Sequence, residues 1–184
     1  KKSGEWMYYK DGINQPWLIV NYNEGVLDGN YRNYNSDGEL IEEKNYKKGV
    51  LNGEYTLYED SKVKEFENGN IIVKVRKRSL YDNGNLIEDT VYFLDKKNHP
   101  AIEMKFENTI DEYDKKHRYI RSLKVYYQNA QLITQGKFEG ENEMDGEWIV
   151  YYPSGNVYLK GNMKTTKTYG GGFANSIESF IKDL

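Results

Sequence analysis

The chain has 184 residues and a formal net charge of −3, room for one ordinary domain or an array of small units, with no basic balance to suit a polyanion. Eighteen Tyr, 19 Asn and 17 Gly stand against 3 Ala and 3 Pro, a mixture that favours pleated strands and tight turns over helices. The absence of Cys excludes disulfides, thiol catalysis and thiolate metal sites, and no run approaches the roughly 18 apolar residues of a membrane span.

Lys1 in place of Met implies a trimmed start, either by removal of an export signal or by the choice of segment, so the compartment stays open between exported and cytoplasmic. From there, Gly4-Glu5-Trp6-Met7-Tyr8-Tyr9 sets a pattern G-x-[WY]-x-x-Y that returns at Gly29 to Tyr34, Gly53 to Tyr58 and Gly146 to Tyr151. Each copy is followed by a turn and a second apolar strand: Asp11-Gly12-Ile13, Asp37-Gly38-Glu39-Leu40, Asp60-Ser61-Lys62-Val63 and Ser154-Gly155-Asn156-Val157. Partial copies stand at Tyr81-Asp82-Asn83-Gly84-Asn85-Leu86 and around Tyr126 to Leu132. Taking the last Tyr as an anchor gives positions 9, 34, 58, 81, 126 and 151, in steps of 25, 24, 23, 45 and 25. The long step predicts one drifted copy near residues 90–115. The joints repeat as well, Tyr22 to Gly29 paralleling Tyr46 to Gly53. These spacings predict an all-β, elongated antiparallel meander of β-hairpins over residues 1–169, about 24 residues each and degenerate around 87–121.

Alternation along a strand places Trp6 and Tyr8 on one face with Met7 and Tyr9 on the other, and likewise Trp148 and Val150 against Ile149 and Tyr151. At the end of the chain, Gly170-Gly171-Gly172 reads as a hinge, and Ile177, Phe180, Ile181 and Leu184 form one stripe of a short amphipathic helix, giving a second segment over 170–184 that is expected to cover the last hairpins or, alternatively, to bind a partner.

The repeat resembles the bacterial MORN-repeat variant family, whose members include YwqK-type antitoxins, and the resemblance spans residues 4–161 in four good and two partial copies. Between Lys74 and Arg121 the partial copies depart from the pattern: they lack the leading Gly, and Arg78 or Leu123 stands where the aromatic residue belongs. The resemblance implies a bacterial protein-interaction module, with a toxin-neutralising or immunity role as its specific form.

No constellation points to catalysis, so the chain is expected not to be an enzyme and to need no cofactor or metal. Glu139, Glu141, Glu143 and Asp145 alternate like the start of a calcium loop, but the twelfth position from Glu141 is Tyr152 where a bidentate Glu is required. Asp111, Glu112 and Asp114 read as a loop tip, and His99 and His117 lack metal-ligand spacing. Lys74, Arg76 and Arg78 alternate along one strand face, opposite Lys77, as solubilising charges or as an anion patch. The partner is expected to be another protein, met by Tyr9, Tyr34, Tyr58, Tyr81, Tyr126 and Tyr151. Nucleic acid is not expected. The alternative is an exported envelope or surface protein whose aromatic rows and Lys74 to Arg78 strand contact glycans or lipid head groups.

Overall fold

The protein is described by a computed structural model over residues 1–58, 75–93, 99–110, 113, 116–139 and 143–164. Runs of Tyr, Trp, Val and Ile between glycine-bearing turns form twelve strands: β1 (Gly4–Tyr9), β2 (Pro16–Asn23), β3 (Val26–Tyr34), β4 (Leu40–Lys47), β5 (Val50–Leu57), β6 (Val75–Asp82), β7 (Asn85–Phe93), β8 (Pro100–Ile110), β9 (Lys116–Tyr126), β10 (Leu132–Glu139), β11 (Glu143–Tyr151) and β12 (Val157–Lys164). Every strand pairs antiparallel with its neighbour in sequence, making one open sheet in the order β1 to β12. The meander read from the repeat is therefore the fold; the hinge and helix expected over 170–184 lie outside the described residues.

Two kinds of turn alternate along the chain. At one end of the sheet β2–β3, β4–β5 and β6–β7 are joined by two-residue turns, Glu24-Gly25, Lys48-Gly49 and Asn83-Gly84, in which both residues have positive φ. That is the type I′ conformation, whose twist matches a β-hairpin. Each turn is clasped to the strands before it: the amides of Gly25, Gly49 and Gly84 donate to the carbonyls of Lys2, Leu27 and Leu51 at 2.7–2.8 Å. At the other end, Asn35 to Glu39, Tyr127 to Gln131 and Tyr152 to Asn156 form five-residue loops whose fourth residue, Gly38, Ala130 or Gly155, has positive φ.

The leading glycine of the repeat is a bulge residue. Val20 pairs with Tyr31 and Tyr22 with Leu27, so Asp28, Gly29 and Asn30 together oppose Asn21. Gly29 sits at φ 103, Gly53 at 96 and Gly146 at 76, a region that residues with a Cβ rarely adopt. Asn21 and Asn45 brace the bulges by donating to the carbonyls of Asn30 and Glu54 at 3.3 and 3.4 Å.

Register shows that Tyr81 is not an anchor. It pairs with Gly53 as Tyr22 pairs with Gly4 and Tyr46 with Gly29, so it closes the second strand of its unit. The anchor of the fourth unit is Tyr92, opposite Pro100 across the same one-residue bulge that sets Tyr9 against Pro16 and Tyr34 against Leu40. Anchors at 9, 34, 58, 92, 126 and 151 replace the uneven steps with 25, 24, 34, 34 and 25. Twelve strands therefore make six units, and the copy expected to have drifted near 90–115 is centred on Tyr92. The two long steps lie on either side of Tyr92, and β8 and β9 are the longest described strands at 11 residues each; the turn and second strand expected at Asp60 to Val63 lie outside the described residues.

Two continuous rows of paired residues cross the sheet and define its faces. On the aromatic face the row runs Trp6, Val20, Tyr31, Lys44, Tyr55, Ser79, Asp89, Met104, Leu123 and Gly136, then Trp148 and Gly161. On the opposite, anchor face it runs Met7, Ile19, Arg32, Glu43, Thr56, Arg78, Thr90, Glu103, Lys124, Gln135, Ile149 and Lys160. The buried apolar cluster belongs to the aromatic face: Leu123, Val125, Phe138 and Trp148, flanked by Ile102, Met104, Ile120, Ile133 and Met144. Phe138 and Trp148 meet edge to face at 5.2 Å, a geometry worth about 0.5–1.5 kcal/mol beyond area burial.

Candidate functional site

The anchor face carries Tyr9, Tyr34, Tyr58, Tyr126 and Tyr151 together, as alternation predicts, and adds Tyr92. Tyr81 lies on the aromatic face, where it meets Tyr55 at 6.4 Å. Three anchors are tied to the preceding strand at an equivalent position. The Tyr58 hydroxyl donates to Glu43 at 3.2 Å, that of Tyr126 to Glu103 at 2.8 Å, and that of Tyr151 accepts from Gln135 at 3.0 Å. Burial, and then the Glu103 carboxylate, hold the Tyr126 hydroxyl well above the usual tyrosine range; burial and Glu43 raise Tyr58 in the same way. Tyr9 is more than half exposed and bonded within its own strand to Met7.

Charges surround these rings. The guanidinium groups of Arg76 and Arg78 both stand over Tyr92, at 5.7 and 5.8 Å, while Lys77 points to the other face. Of the Lys74 to Arg78 strand, Lys74 lies outside the described residues. Further along, Arg121 pairs with Glu107 and lies over Tyr119, which stacks on His117 at 6.0 Å. The anchor face is thus a mosaic of half-buried tyrosines and paired charges of both signs.

The aromatic face is organised differently. The Lys2 ammonium sits 4.8, 4.9 and 5.3 Å from the ring centres of Trp6, Tyr8 and Tyr22, and donates to the Tyr8 hydroxyl at 2.6 Å. That hydrogen bond, joined by one from Tyr22, lowers the Tyr8 pKa below its ordinary value. Lys44 lies over Tyr31 at 4.4 Å and Tyr55 at 5.7 Å, anchored by Glu42 at 3.0 Å. Where the row departs from this pattern, Asp89 occupies the aromatic position of its unit. Its buried carboxylate accepts from Ser79 at 2.6 Å and pairs with Lys77 at 2.7 Å.

No family model and no curated protein matches this sequence.

Among the described residues, no group of three or more His, Asp or Glu side chains stands close enough to hold a metal ion. Glu139 pairs with Glu143 through the backbone across the β10–β11 turn, and residues 140–142 lie outside the described set, as do Asp111, Glu112 and Asp114. His99 lies near the Gln128 carbonyl at one end of the sheet, and His117 lies in β9. Among the described residues, no helix is long and apolar enough to cross a membrane.

Sequence reasoning missed Tyr92, the Lys77–Asp89–Ser79 group and the lysines seated among rings. The first was within reach: Tyr81-Asp82-Asn83-Gly84-Asn85-Leu86 matches Tyr22-Asn23-Glu24-Gly25-Val26-Leu27 as Tyr-x-x-Gly-x-Leu, which marks Tyr81 as a joint residue. Once the joint is placed, Asp89 falls three residues before an anchor, as Tyr31 does before Tyr34.

Proposed function

We infer that this chain is a non-enzymatic protein-interaction module and that its anchor face is the surface that meets the partner. The observation that carries the reading is the single-layer sheet itself: six units each place a tyrosine at the end of their first strand, on one face, interleaved with paired charges. Tyr and Arg recur at the energetic centres of protein interfaces because each presents large area and a directional polar tip at modest entropic cost. Anchors already held by Glu43, Glu103 and Gln135 lose less rotamer freedom on binding than free side chains would. The more specific role, neutralisation of a toxin, rests on the resemblance of the repeat to the bacterial MORN-repeat variant family.

The test is capture of partners from a bacterial host with three versions of the chain: wild type, an anchor-face variant (Tyr34→Ser with Tyr92→Ser) and an aromatic-face variant (Tyr46→Ser). Binding lost in the anchor-face variant and kept in the aromatic-face variant supports the assignment. The reverse pattern overturns it.

The two guanidinium groups stacked on Tyr92 favour a second reading, recognition of anionic glycans or lipid head groups. Vesicles containing anionic lipid distinguish the two, since only this reading expects binding that falls in Arg76→Gln and with added salt.

A further inference from the structure

Two successive bulges frame a cleft in the sheet. Asp28, Gly29 and Asn30 bulge β3 opposite Asn21; in the same way Tyr55 pairs with Lys44 and Leu51 with Tyr46, so Asn52, Gly53 and Glu54 together oppose Asn45. Bulges bend a strand and re-aim its side chains. With β4 between the two bulged strands, a cleft of about 110 Å³ forms, and Asn30, Arg32, Glu43, Asn45 and Glu54 line it from the anchor face. Residues 26–57, which build these strands, are described without a break, and the sheet continues on both sides of them through β2 and β6.

Arg32 and Glu43 are direct cross-strand partners in this cleft. Elsewhere on the anchor face such neighbours meet: Lys105 reaches Glu88 at 2.8 Å and Lys124 reaches Glu103 at 3.7 Å, each pair directly opposite. Glu43 turns instead to Tyr58, accepting its hydroxyl through Oε1 at 3.2 Å, and the Arg32 guanidinium has no ion pair or hydrogen bond among the described residues. Asn45 donates its amide to the Glu54 carbonyl at 3.4 Å, which keeps its Oδ1 as an acceptor. Asn30 and Glu54 add an exposed amide and an exposed carboxylate. The scaffold does not require this set, because the first unit carries Met7 and Ile19 at the places of Arg32 and Glu43.

We propose that this cleft binds a neutral saccharide, whose hydroxyls donate to Glu43, Glu54 and Asn45 and accept from Arg32 and Asn30. A sugar hydroxyl both donates and accepts, and adjacent hydroxyls match the two oxygens of a carboxylate and the forked donors of a guanidinium. The charges decide against other ligands. Two carboxylates beside one guanidinium disfavour phosphate or sulfate, while that guanidinium, among so few carboxylates, disfavours a metal ion or an organic cation. A cavity of about 150 Å³ encloses a benzene ring, so one of about 110 Å³ takes the hydroxyl-bearing edge of a single sugar and leaves the rest of an oligosaccharide outside. Sugar binding here is independent of whether the anchor tyrosines meet a protein.

The test is titration of the isotope-labelled full chain with a panel of neutral oligosaccharides built on glucose, galactose, mannose and N-acetylglucosamine. Nuclear magnetic resonance reads the Arg32 Nε–H and the side-chain amides of Asn30 and Asn45. At least one sugar is expected to shift all three saturably in the millimolar range. Arg32→Met, which places there the residue of the first unit, and Glu54→Ala, at an exposed position, are each expected to weaken that binding about tenfold or more, with an unchanged far-ultraviolet spectrum. No sugar of the panel moving these signals, undiminished affinity in either variant, or inorganic phosphate binding more tightly than every sugar overturns the proposal. Should Arg32→Met fail to fold, Glu54→Ala decides alone.

Discussion

Replacing Gly136 by alanine adds one methyl group where the indole of Trp148 already lies. Ordinary carbon contacts are about 3.5–4.0 Å, whereas the new Cβ would fall 2.6 Å from Cε3 and closer still to Cδ2 and Cε2, so the ring has to retreat by more than an ångström. Retreat is opposed by Phe138, packed edge to face against the same ring at 5.2 Å. Overpacking of this kind costs about 1–3 kcal/mol, offset by about 0.5–1 kcal/mol from removing a glycine inside a strand. The expected net loss is about 1–2 kcal/mol, or about 2–8 °C in Tm for a chain of this length. Thermal and urea unfolding of Gly136→Ala, read by circular dichroism, measure it, with Gly161→Ala as the control. The control occupies the equivalent row position with nothing within 4 Å and should be neutral or slightly stabilising. Equal stability of the two variants would refute the idea that Trp148 specifies glycine at position 136.

Ala130 adopts φ 65 where the other two five-residue loops carry Gly38 and Gly155, so Ala130→Gly should stabilise the chain by about 0.5–1 kcal/mol, visible in urea midpoints. Asp89→Ala removes the acceptor of buried Ser79 and the partner of Lys77. With Lys77 partly solvated, the loss should be about 2 kcal/mol, against about 1 kcal/mol for Ser79→Ala, both by denaturant titration. Burial raises the hydroxyls of Tyr31, Tyr55, Tyr58 and Tyr126 above the ordinary value of 10.0. Their contribution is therefore complete below about pH 10 and lost as pH rises towards the folded-state values, because only the unfolded chain ionises there. Urea midpoints should fall above about pH 10, and Tyr126→Phe should make that fall shallower; an unchanged slope would contradict the raised Tyr126 hydroxyl as a source of the fall.

Strand number and strand order were legible because turn chemistry and alternation speak locally: the glycines of Asp11-Gly12, Asp37-Gly38 and Asn83-Gly84 take the positive φ of tight turns, and Trp6 and Met7 must point opposite ways. Face assignment followed for five of the six proposed tyrosines. Tyr81 failed because both strands of a unit can end in Tyr, and a count of residues cannot tell them apart once the step between anchors lengthens to 34. Pairing can, since only a second-strand residue sits opposite the bulge glycine Gly53. The Lys77–Asp89–Ser79 group was illegible for another reason. A carboxylate at an aromatic position looks like decay of the motif until the partner strands show a hydroxyl and an ammonium waiting for it.

Because every described strand pairs with its neighbour in sequence, the sheet never has to bring β1 and β12 together. Among β proteins slow folding comes chiefly from long-range closure, and here most closures span a two-residue or five-residue turn. A nascent chain can complete each hairpin while the next is still being synthesised, and each finished edge then serves as the template for the following strand.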